Sequence, residues 1–316
     1  MSRILNSTKL IASVRKRAML PNDTSTYTDQ DILDILNEEL DIGMLPKLLS
    51  LNEEHLVNHE EIPTDGSKVR FPIPYRSIGN KLRDVALVDT SGGVHELSRI
   101  SLEEISDYSY YYDGLADTSL FYIENNEVVL VSSTVGSYES VRMYFYLRPN
   151  VIVLEKETAI IDLIDRTTGT VVLRTFPKTF SSTPEMDFIG ARTPNKTFAY
   201  DKAPMSVNVN AKTVVFNPSD IPASLSVGDY LCLRETTPVP QIPTEMHPVL
   251  AQRAAIHMLE GLGDTEGLRN AMNRLDRMDM DTMSLVDDRC EGSPQKINQR
   301  HSPLKQTFGF RNRIKG

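Results

Sequence analysis

Hydrophobic spacing changes period twice along this chain, and that constrains its fold more than any other feature. Near both ends apolar residues recur every three or four positions, as on one face of a helix. Between about residues 68 and 235 they fall instead into short β-branched and aromatic runs broken by turn residues. Such a chain is predicted to be α+β: a helical bundle formed by both chain ends, an inserted antiparallel β-sandwich or barrel, and an extended C-terminal tail. The corresponding boundaries are 1–62 for the N-terminal helices, 63–240 for the β-rich insertion, 241–289 for the C-terminal helices and 290–316 for the tail.

The helical signals are specific. Residues 3–18 place Ile4, Leu10, Ile11, Val14 and Ala18 near one face. Thr28 is suited to cap the next helix, with Asp29 and Asp31 in its first turn and Ile32, Leu33, Leu36 and Leu40 as its stripe. Gly43 ends or kinks it, and a further helical turn or two is expected through Leu56. Helix returns after residues 238–243, with Thr244 as cap, Pro248 in the first turn and Gly261 and Gly263 as stops. Asp264 caps a last helix with Leu268, Met272, Leu275 and Met278 as its packing stripe. Ten strands are expected between the helices, at 69–74, 82–89, 119–124, 127–132, 140–147, 159–165, 170–175, 206–210, 213–217 and 230–234. Asn125-Asn126 and Arg166-Thr-Thr-Gly169 read as tight turns.

Composition excludes several classes. The 316 residues are 40% hydrophobic and 24% charged, ordinary for a globular protein, and no apolar run is long enough to span a bilayer. Two cysteines, Cys232 and Cys290, do not make a disulfide framework and fit a reducing compartment. The basic N-terminus lacks the continuous apolar stretch of a secretory signal. Charge is segregated: the chain carries −9 overall, yet residues 1–20 and 290–316 each carry +5, which leaves −19 on residues 21–289. A body this acidic repels nucleic acid.

No assembled chemistry emerges. Hydrolase, Walker-type, zincin and dinucleotide motifs are all missing from the sequence, so neither a catalytic residue nor a cofactor is assigned. His55 and His59 have helical i, i+4 spacing beside Glu53, Glu54, Glu60 and Glu61, a weak metal signal against the plainer reading of a polar helix face. His247 and His257 share a helix without further ligands. Asp276, Asp279, Asp281, Asp287 and Asp288 lack the pattern of a calcium loop and read as a solvated face. Tyr108, Tyr110, Tyr111 and Tyr112 could stack on a sugar, though packing against a subunit or sheet is the default.

The tail carries the clearest functional signal. Residues 290–316 hold two prolines, three glycines and six basic residues against a single acid, which argues against a packed helix or core strand. Leu304, Phe308, Phe310 and Ile314 are apolar anchors that a solubility tail does not need, and Arg300, Lys305, Arg311 and Arg313 surround them. This reads as a segment that orders on a partner, the plain alternative being an idle end.

Three stretches resemble the head-to-tail connector, or neck adaptor, proteins of tailed bacteriophages. They are YTDQDILDILNEELDIGMLPKLL, then FPIPYRSIGNKLRDVALVDTSGGVHELSRIS with SLFYIENNEVVLV and VRMYFYLRPNVIV, and finally VGDYLCLRETTPVPQIPTEMHPVLAQRAAIHMLEGLGD. The resemblance implies a structural virion protein without catalysis. It would form a homo-oligomeric ring, commonly dodecameric, beneath the portal, joining capsid to tail and lining a channel through which DNA passes without specific binding. The tail would dock on the portal ring. A tail or second neck protein, and tail fibres, would be further partners, with no membrane involved. The alternative of another class is a β-sandwich binding module for fibre or glycan attachment.

Overall fold

The computed structural model describes residues 5–20, 26–64, 68–104, 120–131, 138–181, 184–191 and 196–286. The chain is mixed α+β, with several antiparallel sheets and few helices. Among the described residues five α-helices form: α1 (Ser7–Arg17), α2 (Asp29–Glu39), α3 (Leu45–Leu51), α4 (His247–Leu262) and α5 (Thr265–Val286). A π-helical turn, Leu40–Met44, carries α2 into α3, so the backbone runs through Gly43 instead of stopping there.

Local chemistry sets these ends. Thr28 accepts from the Asp31 amide while Asp31 accepts from the Thr28 amide, a reciprocal cap on α2. Asp264 accepts from the Gly267 amide at the start of α5, and Gly263 closes α4 in the left-handed region with φ 72°. Thr244 does not cap α4 directly. It opens a 3-10 turn, Thr244–Met246, and the helix begins at His247 with Pro248 in its first turn.

Helices from both ends of the chain share one hydrophobic cluster. Leu10 and Val14 of α1, Ile32, Leu33 and Leu36 of α2, Leu48 of α3 and Leu250, Ala254 and Met258 of α4 meet there. Helix α4 is buried on most sides, and its Ala251, Ala254 and Ala255 let α1 and α2 approach closely. Helix α5 packs through Leu268, Ala271, Leu275, Met278 and Val286. Met272, expected in that stripe, is instead 48% exposed, and Ala271 takes the inward place.

Among the described residues all ten regions expected as strands contain one, and seven further strands join them. One sheet has the order β1 (Val57–Pro63), β8 (Tyr138–Leu147), β3 (Ser77–Asp89), β4 (Val94–Glu96). A second has the order β2 (Arg70–Pro72), β7 (Glu127–Leu130), β6 (Leu120–Glu124), β5 (Ser98–Arg99). These two sheets enclose a common core of Phe71, Val85, Leu87, Phe121, Val128, Val141 and Met143. Asn125 and Asn126 both take positive φ, 49° and 64°, in the two-residue turn between β6 and β7.

The third sheet has seven strands. Its order is β13 (Thr197–Lys202), β12 (Met186–Ile189), β16 (Tyr230–Leu233), β10 (Ala159–Asp165), β11 (Thr170–Leu173), β15 (Thr213–Val215), β14 (Ser206–Asn208). Phe188 lies in β12 and Phe216 directly follows β15, four strand spacings away, or about 19 Å in a flat sheet. Their rings are 5.0 Å apart, so the sheet curls strongly around its own core. Gly169 makes one of its turns: at φ 72° a Cβ there would lie 2.0 Å from the Phe216 carbonyl oxygen, and only glycine fits. The stretch 63–240 thus contains two separate β cores. A short parallel pair, β9 (Val151–Ile152) with β17 (Thr236–Thr237), ties together the strands leading into and out of the second.

Strand β1 overturns one expectation. Residues 57–62 were expected to continue the N-terminal helical region, but the chain turns extended at Val57. His55 ends a 3-10 turn and His59 lies in β1, so the pair is not on one helical face.

Candidate functional site

Where the β layers and the helical layer meet, the structure builds a buried polar joint. Its centre is Asp187 in β12, fully buried between apolar neighbours. The guanidinium of Arg76, in the link between β2 and β3, is 2% exposed and grips it bidentately, Nη1 to Oδ2 at 2.9 Å and Nη2 to Oδ1 at 3.0 Å. Asn150 donates from Nδ2 to Oδ2 at 2.7 Å. The backbone amides of Asp201 and Glu235 each donate at 3.0 Å. Both of those residues take positive φ, 55° and 60°. Each therefore adopts a conformation costing about 1 kcal/mol or more for a side chain with a Cβ, and in it turns an amide toward the same carboxylate.

The partners extend outward. Arg76 also donates to Asp201, to Asn150 and to the Tyr75 hydroxyl, and lies 5.1 Å from the centre of the Tyr200 ring. Tyr75 donates to Asp201, and Arg234 stacks over the Tyr75 ring at 4.7 Å. The Asn150 amide donates to Gln241 at 2.7 Å, and Gln241 donates to Thr197 at 2.7 Å. Two residues beyond Asn150, Ile152 is clamped by Asn37 of α2, which accepts its amide proton at 2.8 Å and donates to its carbonyl at 3.0 Å. These side chains thus join the first β unit to the second, and Asn37 fastens the adjoining backbone at Ile152 to the helices.

Electrostatics fit a locked ion pair. Burial pushes the Asp187 carboxyl up, and the Arg76 charge and the surrounding N–H donors pull it back. Burial opposes the charge on Arg76, but hydrogen bonds to Asp201 and the charge of Asp187 outweigh it and hold the guanidinium above its ordinary value. Both Asp187 oxygens are already occupied by donors from the protein itself. Nearby Cys232 is buried, and burial raises its thiol well above the ordinary range, which keeps it out of its nucleophilic form. The arrangement joins elements, and Tyr75, Arg76 and Asn150 also line a small cavity of about 170 Å³ beside it.

The residues singled out from sequence are distributed differently. The tail residues Arg300, Leu304, Lys305, Phe308, Phe310, Arg311, Arg313 and Ile314 lie outside the described residues, as do Tyr108–Tyr112, Asp287 and Asp288. Among the described residues, no group of three or more His, Cys, Asp or Glu is placed to hold a metal ion. His257 lies 3.5 Å from Glu39, while His247 is buried and serves the helical layer. Asp279 is not simply solvated: it pairs with Lys47 at 2.7 Å and with Arg253 at 3.5 Å, bracing α5 against α3 and α4. No helix among the described residues is long and apolar enough to cross a membrane.

Sequence reasoning missed Arg76, Asn150, Asp187 and Asp201 altogether. One signal was present: Asp187 interrupts the apolar run Met186, Phe188, Ile189, and a lone acid in a strand buried on both faces calls for a basic partner. Comparison of the chain with protein-family models and with curated proteins gives no match in either case.

Proposed function

We propose that this chain is a mechanical coupling: a structural virion protein of the head-to-tail connector kind, acting as a ring beneath a portal. In this reading the two chain ends form a helical bundle and the β region is a sandwich-and-barrel insertion carried on it. The portal ring, a tail-side neck protein and further copies of the chain are its partners, and it makes no bonds of its own. One observation carries the reading most: the buried Arg76–Asp187 joint. A joint that fixes three layers in register suits a part that transmits force between neighbours. The charge pattern supports the same reading, because a body of −19 over residues 21–289 lets DNA slide past where a basic lumen would retain it.

The basic arm at residues 290–316 is the portal-docking element in this reading, with Phe308 and Phe310 each contributing about 1.5–3 kcal/mol when buried in a neighbour. The test is deletion of residues 290–316. The truncated protein is expected to stay folded by circular dichroism and to lose binding to portal rings in negative-stain imaging. If it still joins filled heads to tails, the docking assignment is wrong.

A further inference from the structure

Among the described residues, one outermost strand from each of the three larger sheets borders a common groove. Strand β1 ends the first sheet, β2 the second and β13 the seven-stranded sheet. A cavity of about 450 Å³ lies between residues 54–58, leading into β1, and Lys196 and Thr197 at the start of β13. A cavity of about 600 Å³ continues along the same two strands, between residues 60–62 and 199–202, with Pro72 of β2 in its wall. Tyr200 donates to Glu60 across the groove between them, at 3.3 Å.

Among the described residues β1 pairs with β8 alone and no strand pairs with its other side, where the His59 amide donates to Asn58 Oδ1. Leu147 donates to the Leu56 carbonyl at 2.8 Å and Thr64 donates to the Glu139 carbonyl at 3.0 Å, one bond at each end of the β1–β8 ladder. Even-numbered residues therefore turn their backbones to β8, and Val57, His59 and Glu61 turn theirs away from it. Pro63 ends that outward series without an amide proton, which limits any added strand to the length of β1.

We infer that the chain's own C-terminal arm, residues 305–315, adds to the β1 edge in this groove as an extended strand. Five features of the molecule favour this occupant. The last described residue, Val286, is buried, and its carbonyl accepts from Asn52, which lines the 450 Å³ cavity, so the described chain ends beside the groove. The arm alternates with period two: Phe308, Phe310 and Ile314 fall on one face, and Arg311, Arg313 and Lys315 on the other. Its eight residues 308–315 match the seven of β1. The two cavities are lined by Glu54, Glu60, Glu61 and Asp201 against Lys196 and Lys202, a net negative lining that suits a basic arm. The 21 residues between Val286 and Phe308 give ample reach at about 3.3 Å each. Strand addition of this kind takes its affinity from main-chain hydrogen bonds and its specificity from alternate side chains.

The inference stands whether or not the arm also engages a portal, and its test uses the full chain alone. Amide exchange should be slowed roughly tenfold or more across residues 308–315. It should return to the rate of an isolated peptide in Phe308→Ser/Phe310→Ser. It should do the same in Glu61→Pro, which blocks the outward edge and keeps the β1–β8 backbone bonds while giving up the Glu61–Arg142 ion pair. Retained protection of β8 amides reports that Glu61→Pro still folds, and the arm variant lies outside every described core. Unprotected arm amides in the native chain overturn the inference. Protection that survives Glu61→Pro overturns the groove as its seat, and protection that disappears on tenfold dilution assigns the arm to a second copy instead.

Discussion

Asn150 belongs to the polar joint and Ile152, two residues on, to the helical cluster, yet the two regions cohere by different physics. The helical cluster is apolar and graded: Leu10, Leu36, Leu250 and Met258 each remove surface from water, and each contributes in proportion to the area buried. The joint is polar and all-or-none. Burying Arg76 and Asp187 costs several kcal/mol per charge, and only the complete set of partners offsets it. A core of the first kind tolerates exchange of one hydrocarbon for another. A joint of the second kind tolerates almost nothing done to one partner alone.

The sharpest way to break this contrast is at Arg76. Arg76→Ala leaves Asp187 buried and unpaired and should cost about 3–5 kcal/mol in urea unfolding. The double variant Arg76→Met/Asp187→Leu removes both charges and should cost clearly less than Arg76→Ala. If the two costs are equal, the joint is ordinary packing and the contrast fails. In the helical cluster, Leu250→Ala should cost about 2–5 kcal/mol, and Leu250→Met under about 1.5. A Met variant as damaging as the Ala variant would show that shape, not apolar area, governs that site too.

The same contrast explains what the sequence disclosed. Helix α2 was readable because its cap, Thr28 with Asp31, and its stripe, Ile32, Leu33 and Leu36, lie within nine consecutive residues. The β6–β7 turn was readable because Asn125-Asn126 encodes it locally. Arg76, Asn150, Asp187 and Asp201 are separated by up to 125 positions, and only the topology of three sheets brings them together. Strand β1 was missed because Leu56 and the acids around it continue a helical-looking pattern; pairing with β8, more than eighty residues later, decides its conformation. The division of the middle into two cores was hidden for the same reason, since alternation reports a strand but not the sheet it joins.

A smaller effect tests the helical layer through pH. His247 is fully buried, donates from Nε2 to the Ile242 carbonyl at 3.2 Å and accepts the Leu5 amide proton at Nδ1 at 3.3 Å. That arrangement requires the neutral ring, and burial lowers its pKa to about 4. The unfolded chain takes up this proton near the ordinary histidine value of about 6.5, before the folded chain does. The contribution is fully present above that value and is lost as pH falls toward 4, by up to about 1.4 kcal/mol per pH unit. Unfolding of the native chain and of His247→Gln, compared between pH 7.5 and 4.5, should show the native chain losing ground to the variant as pH falls. A constant difference between them would assign the acid sensitivity to another group.

The least effect expected is at Thr28, where the two modes of cohesion meet on an exposed turn. The reciprocal cap satisfies amide protons that α2 would otherwise present to water, so desolvation plays little part. Thr28→Ala removes the hydroxyl that accepts from the Asp31 amide and should cost about 1 kcal/mol, whereas Thr28→Ser should be nearly neutral. Because Asp31 is held below its ordinary pKa first by the Thr28 hydroxyl and then by the Thr28 amide, the variant should also raise the Asp31 value in an NMR titration. A polar contact at the surface, unlike the one at Arg76, can thus be cut on one side at small cost. If Thr28→Ala proves as damaging as Arg76→Ala, burial is not what separates the two cases.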